Sequence, residues 1–74
     1  MAKITTPLPT GIQNLWKGMH VRHQRSGHKY TVLCVARVEK TLEVVVVYRS
    51  DDAEDEIWTR PHGEFCDGRF AVIG

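Results

Sequence analysis

The hydrophobic positions of the chain gather between Lys29 and Arg49, in the string KYTVLCVARVEKTLEVVVVYR. Two apolar runs flank a short polar break, Glu39-Lys40. Tyr30 to Val38 is rich in β-branched and aromatic residues, which suit a pleated, half-buried surface. In an extended strand, Tyr30, Val32, Cys34, Ala36 and Val38 share one face; Thr31, Leu33, Val35 and Arg37 share the other. Thr41 to Arg49 repeats the pattern, with Leu42, Val44, Val46 and Tyr48 opposite Glu43, Val45, Val47 and Arg49. Consecutive valines from Val44 to Val47 argue against a helix, where each loses χ1 freedom against the preceding turn. The pattern therefore predicts an antiparallel hairpin, buried on both faces or bent between two sheets. Its turn lacks the Asn-Gly or Asp-Gly signal of the tightest hairpins, which leaves the loop length open.

A lone hairpin is marginal in water, so the rest of the chain must add strands. Met1 to Pro9 is a polar arm in which Pro7 and Pro9 disfavour regular structure. Thr10-Gly11-Ile12-Gln13 has the spacing of a capping box. Ile12, Leu15 and Trp16 follow at helical spacing, and Gly18 can close the helix in the left-handed conformation. One or two helical turns are expected, laying Leu15 and Trp16 on the β domain. Met19 to Arg25 reads as the first strand, and Ser26-Gly27 as a turn. Ile57 to Arg60 reads as a fourth strand ended by Pro61. His62 to Gly68 is a turn-rich connection anchored by Phe65, and Arg69 to Ile73 is a last short strand. The expected organisation is an arm with a short helix over residues 1–17 and a single β domain over residues 18–74. The expected fold is all-β: a small, strongly bent SH3-like barrel of about five antiparallel strands. Closing such a barrel hides the edges of its valine-rich strands.

Length and composition agree with one modest core, since 74 residues with 42% hydrophobic content make a single globular domain. No apolar run approaches the ~20 residues that span a bilayer. Met1 to Thr10 has no apolar stretch like that of a signal peptide, so a cytoplasmic location is expected. Cys34 and Cys66 are too few for a disulfide scaffold. Cys34, mid-strand, is expected to pack as a small buried hydrophobe.

The net charge of +1 conceals an asymmetry. Lys3, Lys17, Arg22, Arg25, Lys29 and Arg37 occupy residues 1–38, which contain no acid. All nine acids fall in residues 39–74, with only Lys40, Arg49, Arg60 and Arg69 against them. Such polarity marks either a ligand-facing half or two halves that neutralise each other in the fold. Within Ser50 to Glu56, five acids fall in the six positions from Asp51: Asp51, Asp52, Glu54, Asp55 and Glu56. It lacks the glycine and ligand spacing of a calcium loop, so a solvated hairpin tip is expected.

His20, His23, His28, His62, Cys34 and Cys66 raise the question of zinc. The chain has no Cys-x-x-Cys and no helical His pair, and His20 and His23 fall on opposite faces of a strand. Cys66 with His62 and Asp67 resembles a nucleophile and base only in composition; a barrel this small has little room for a water-excluding cleft. No metal, no cofactor and no catalytic residues are expected. The stronger cluster is cationic and aromatic. Arg22, His23, Arg25, His28, Lys29 and Tyr30 surround one turn, and Tyr48, Arg49, Trp58 and Arg60 come from later strands. Arginine forks bind phosphate and aromatic faces stack bases. The structural alternative is that Tyr48 and Trp58 are packing residues and that Arg49 and Arg60 pair with the acidic loop.

Gly18, Arg22-His23, Gly27, Tyr30, Val32, Ala36-Arg37, Thr41-Leu42-Glu43, Val47-Tyr48-Arg49, Trp58, Arg60-Pro61 and Phe65 together carry a resemblance to a family. The chain from Gly18 to Phe65 resembles the domain of unknown function 1653, short bacterial and phage proteins. Val47 to Arg49 and the Trp-x-Arg-Pro at Trp58 are the most specific pieces. Val38 stands where the family often has a histidine. The resemblance implies a compact β domain and a bacterial or phage source. It brings no activity and no functional residues to transfer.

Two functions are weighed. The first is a non-catalytic module binding an anionic ligand, nucleic acid or nucleotide, through Arg22, Arg25, Lys29, Tyr30, Arg49, Trp58 and Arg60. The second is a protein-interaction module, or a phage inhibitor of a host factor. It would use the acidic loop Asp51 to Glu56 against a basic partner, or an apolar patch with Leu15 and Trp16, including self-association.

Overall fold

The computed structural model describes residue 12 and residues 14–74 of the chain. Five strands follow in order: β1 (His20–His23), β2 (Lys29–Arg37), β3 (Val44–Ser50), β4 (Ile57–Pro61) and β5 (Phe70–Val72), with a short helix α1 (His62–Phe65) before the last. They form one antiparallel sheet in the order β4-β3-β2-β1-β5. The expected all-β class and strand count stand. Closure into a barrel does not: β4 and β5 are the two edges of the sheet and share no ladder. β5 offers only three residues, and β4 runs through Pro61 directly into α1 rather than alongside β5. The edges nonetheless come near each other, because the Arg60 guanidinium of β4 lies 5.5 Å from the centre of the Phe70 ring of β5.

The central hairpin forms as the apolar runs predict, with Arg37 opposite Val44 at one end and Tyr30 opposite Ser50 at the other. A bulge between Val32 and Cys34 breaks the alternation. The extra residue, Leu33, shifts the following positions to the opposite face. Val35 now faces the same way as Val32 and Val46, while Cys34 turns outward and is exposed. This corrects the expectation of a buried Cys34. The connecting loop is also longer than Glu39-Lys40. Val38 N–H reaches Glu43 C=O at 2.9 Å, and Leu42 takes a left-handed conformation at φ 64°. Without Asn-Gly, a two-residue turn has no residue suited to its positive φ angles.

No helix forms at the described part of the N-terminal segment. Thr10, Gly11 and Gln13, which carry the capping-box spacing, lie outside the described residues. Trp16 to Met19 is instead a tight turn, with Met19 N–H on Trp16 C=O at 3.2 Å and Gly18 at φ 89°. Gly18 thus adopts the left-handed conformation read from the sequence, but to turn the chain into β1 rather than to end a helix. Ile12 and Leu15 pack on the core, whereas Trp16 stays half exposed.

The core comprises Ile12, Met19, Val21, Val32, Val46, Tyr48, Phe65 and Phe70. Phe65 enters from α1 and stacks on Phe70 with ring centres 4.3 Å apart, as its role of anchor requires. Tyr48 is tilted over Phe65 at 5.2 Å and edge-on to Tyr30 at 5.2 Å. Such contacts add about 0.5–1.5 kcal/mol each beyond burial. They tie α1 to the sheet. No helix among the described residues is long and apolar enough to cross a membrane.

A cationic cleft over an aromatic floor

The connection from β1 to β2 builds one wall of the site. His23 N–H bonds His28 C=O at 2.8 Å, and Gly27 N–H bonds His23 C=O at 2.7 Å. Gly27 sits at φ 80°, a backbone state that glycine adopts without penalty. Ser26 completes the turn: its hydroxyl accepts from His28 N–H at 3.2 Å and lies 3.1 Å from His23 Nδ1. The Ser26 N–H also points at Nδ1, at 3.3 Å. Nδ1 is therefore an acceptor, and the neutral ring keeps its proton on Nε2. Burial and the charges of Arg60, Arg25 and Arg69 hold the imidazole below its ordinary value of 6.5, so neutrality is favoured. The ring stands edge-on to Phe70 at 5.0 Å.

The strand β5 supplies the opposite wall. It pairs with β1, placing His23 opposite Phe70. Gln24 locks the two segments together, donating its N–H to Arg69 C=O and its side-chain amide to Gly68 C=O, both at 2.9 Å. Arg69 is oriented by Asp67, 3.2 Å from its Nε, and by Glu64, 3.3 Å from its Nη1. Arg60 closes the site from β4. Its Nε–H points to the Tyr48 hydroxyl at 3.4 Å, and its Nη1 lies 3.8 Å from the same Glu64 oxygen that meets Arg69. The Tyr48 contact is the main influence that raises the Arg60 pKa further, so the guanidinium stays charged.

His23, Gln24, Arg25, Arg60 and Arg69 line an open cleft of about 600 Å³. Three guanidiniums from three separate segments converge there; among the described residues Glu64 bridges Arg60 and Arg69, Asp67 pairs with Arg69 alone, and no acid pairs with Arg25. Tyr30 and Phe70 lie in the aromatic cluster beneath it, ring centres 6.0 Å apart. Burial and neighbouring Tyr48 raise the Tyr30 pKa, which keeps its hydroxyl protonated. Trp58 is half exposed and sits two positions before Arg60, hence on the same face of β4.

The cationic residues singled out in the sequence thus separate into two groups. Arg25 and Arg60 meet in the cleft, Tyr30 lies in the aromatic cluster against Phe70, and Trp58 shares the face of β4 that carries Arg60. Arg22, Lys29 and Arg49 project from the other face of the sheet, as their register opposite Ala71, Arg22 and Thr31 shows. Arg60 pairs with Glu64 rather than with the acidic loop, and among the described residues Arg49 has no acid partner. Its Nε is buried without a hydrogen bond. In the acidic loop, Asp51 accepts from the Thr31 hydroxyl at 2.6 Å, and Asp52 lies 3.8 Å from His28. The other acids of the loop are exposed.

Sequence reasoning missed Gln24, Arg69 and Glu64. The signal for Arg69 was its position just before β5: pairing that strand with β1 brings it to the β1–β2 turn. Cys66 does lie near His62, with Sγ 3.9 Å from Nε2. Burial, followed by the charge of Asp67, pushes the thiol pKa up, which opposes thiolate formation. No three metal-ligating side chains converge among the described residues.

The sheet and cleft define a small antiparallel β domain with a cationic, aromatic-floored surface. The family model described as Protein of unknown function (DUF1653) matches residues 19–70, and the chain belongs to that family. No curated protein and no solved structure matches it.

Proposed function

We propose that this protein is a non-catalytic binding module for a phosphate-bearing ligand, a nucleotide or a nucleic acid strand, held in the cleft of Arg25, Arg60 and Arg69. The observation that carries this reading is the convergence of three guanidiniums beside aromatic rings. Guanidinium forks match phosphate oxygens, and bringing like charges together costs free energy that an anion recovers. Trp58, half exposed next to Arg60, offers a face for a base. His23 Nε2–H adds a neutral donor. The position of β1 between β2 and β5 supports reading the sheet as an incompletely closed SH3-like barrel that presents its ligand at one end.

The test is calorimetric titration with a thymidine mononucleotide and a short oligonucleotide over a range of salt. Binding is expected to weaken as salt rises, by about 0.7 in log K per log salt for each phosphate contacted on a single strand. Arg25→Gln with Arg60→Gln should abolish it while the circular dichroism spectrum is kept. Salt-independent binding, or binding that survives the double change, refutes the cleft.

A protein-interaction role is the alternative. It is favoured by the exposed apolar side chains Trp16 and Val35, which flank a shallow groove with Leu15 and Val32. It predicts that Trp16→Ser releases a partner that Arg25→Gln leaves bound.

A further inference from the structure

The outer face of the β1–β2 hairpin carries an arrangement that the fold alone does not justify. Arg22 and Lys29 stand directly opposite each other in the ladder. In the neighbouring pair, His23 donates its N–H to His28 C=O at 2.8 Å. Alternation in an antiparallel ladder then makes Arg22 and Lys29 a non-hydrogen-bonded pair, the kind whose Cα atoms approach to about 4.5 Å and whose side chains lie closest. Like charges in such a pair oppose folding. Among the described residues, no acid is within ion-pair distance of either. The nearest acids by sequence register are engaged elsewhere. Asp51 gives its backbone N–H to Lys29 C=O at 3.0 Å but turns its carboxylate to Thr31, and Asp52 faces His28. Arg49, opposite Thr31, adds a third cation to the same face.

This second patch and the cleft lie on either side of one turn. Arg25 is in that turn and lines the cleft, and Arg22 is three residues before it, on β1. Arg22 points to the opposite face of β1 from His23, which lines the cleft, so one phosphate group cannot meet both sets of cations. We propose that the ligand is a single-stranded nucleic acid, whose phosphodiester chain runs from the cleft around the β1–β2 turn to Arg22 and Lys29. This rests on the phosphate-binding reading of the cleft and extends it from one nucleotide to several. Single strands are favoured over duplex because Trp58 is half exposed on the same face of β4 as Arg60, where an unstacked base can lie against its ring.

The experiment compares thymidine triphosphate with a thymidine oligonucleotide of about ten residues, near the middle of the site sizes known for such surfaces. Each is titrated into the wild-type protein, the Arg22→Gln/Lys29→Gln variant and the Arg25→Gln/Arg60→Gln variant. The wild type should bind the oligonucleotide at least tenfold more tightly than the triphosphate. Arg22→Gln/Lys29→Gln should lose at least tenfold in oligonucleotide affinity and about 1.4 in salt slope, two contacts' worth. Its affinity for the triphosphate should stay within twofold of wild type. Its melting temperature should equal or exceed that of the wild type, since a like-charge pair has been removed, which separates lost binding from lost fold. An oligonucleotide affinity and slope unchanged by Arg22→Gln/Lys29→Gln, or equal losses for both ligands, overturns the extended path. An oligonucleotide bound no more tightly than the triphosphate overturns it too, while leaving the cleft in place. Arg25→Gln/Arg60→Gln that binds both ligands as the wild type does, or a wild type that binds neither, overturns the cleft itself.

Discussion

Glu64 separates two views of the cleft, because it both orders the arginines and competes with any anion for them. One of its oxygens, Oε1, sits 3.8 Å from Arg60 Nη1 and 3.3 Å from Arg69 Nη1. The carboxylate side chain is 49% exposed, so each pair is worth little for stability, about 0.2–1 kcal/mol before further loss to solvent screening. Glu64→Gln keeps the shape and an acceptor oxygen, and should lower the unfolding free energy by less than about 1 kcal/mol. Its effect on an incoming phosphate is larger and of opposite sign. A phosphate contacting the same guanidiniums lies roughly 5 Å from the carboxylate, where two unit charges repel by about 0.8 kcal/mol even at the dielectric constant of water. An effective dielectric constant of about 20 would give about 3 kcal/mol, and salt screening in an open cleft brings the repulsion to about 1–2 kcal/mol, which corresponds to a fivefold to thirtyfold gain in affinity on removing the charge. Fluorescence anisotropy with a labelled oligonucleotide at low salt reads this directly, and urea denaturation reads the stability. Tighter binding with near-normal stability is expected. Unchanged or weaker binding by a folded Glu64→Gln protein refutes the placement of the anion between Arg60 and Arg69.

Three further outcomes follow from the same geometry. His23 has its folded pKa held below the ordinary 6.5, so the unfolded chain takes up the proton first. Its contribution to stability is therefore full above that value and falls as pH drops toward the folded pKa. Urea midpoints across this range should show that loss in the wild type and less of it in His23→Asn, which retains an acceptor for Ser26; equal loss in both refutes the assignment. Phe65 is fully buried between α1 and the sheet and loses two ring contacts and some volume on truncation, so Phe65→Leu should cost about 2–4 kcal/mol in urea unfolding, and a cost near zero would mean that α1 does not anchor the core. Gly63, within α1, has open space around the position of an added Cβ and an ordinary φ, whereas Gly27 also has space but sits at φ +80°. Gly63→Ala should stabilise by about 0.5–1 kcal/mol and Gly27→Ala destabilise by about 1–3 kcal/mol, with thermal melts giving opposite shifts.

Much of the fold was legible because strand residues announce themselves locally. Val44 to Val47 and the β-branched run from Tyr30 mark the hairpin with no knowledge of partners. Phe65, isolated among turn residues, had to be an anchor. Gly18 and Gly27 marked reversals, and both take positive φ. The misses have one cause, which is that pairing modifies local pattern. Cys34 looked buried by alternation, but the bulge at Leu33 inverted every position after it. Ile12, Leu15 and Trp16 have helical spacing, yet the described residues there follow the backbone bonds that join Gly18 and Met19 to Val32. A short helix with few internal bonds cannot compete with such a ladder.

The candidate site was legible only as an inventory. A surplus of cations in residues 1–38 and arginines at Arg49 and Arg60 are properties of the sequence. Which of them meet is not, because facing across a sheet depends on register, and a change of one residue moves a side chain to the opposite surface. Side-chain shape and burial along each strand are enough to specify an antiparallel sheet around a Val- and Phe-rich core. Long-range packing is needed to set Arg60 against Arg25 and Arg69 over Phe70 while Arg22, Lys29 and Arg49 face away. That choice is made by the β1–β5 pairing and the curl that brings β4 over β5, contacts between segments far apart in the chain that no local pattern encodes.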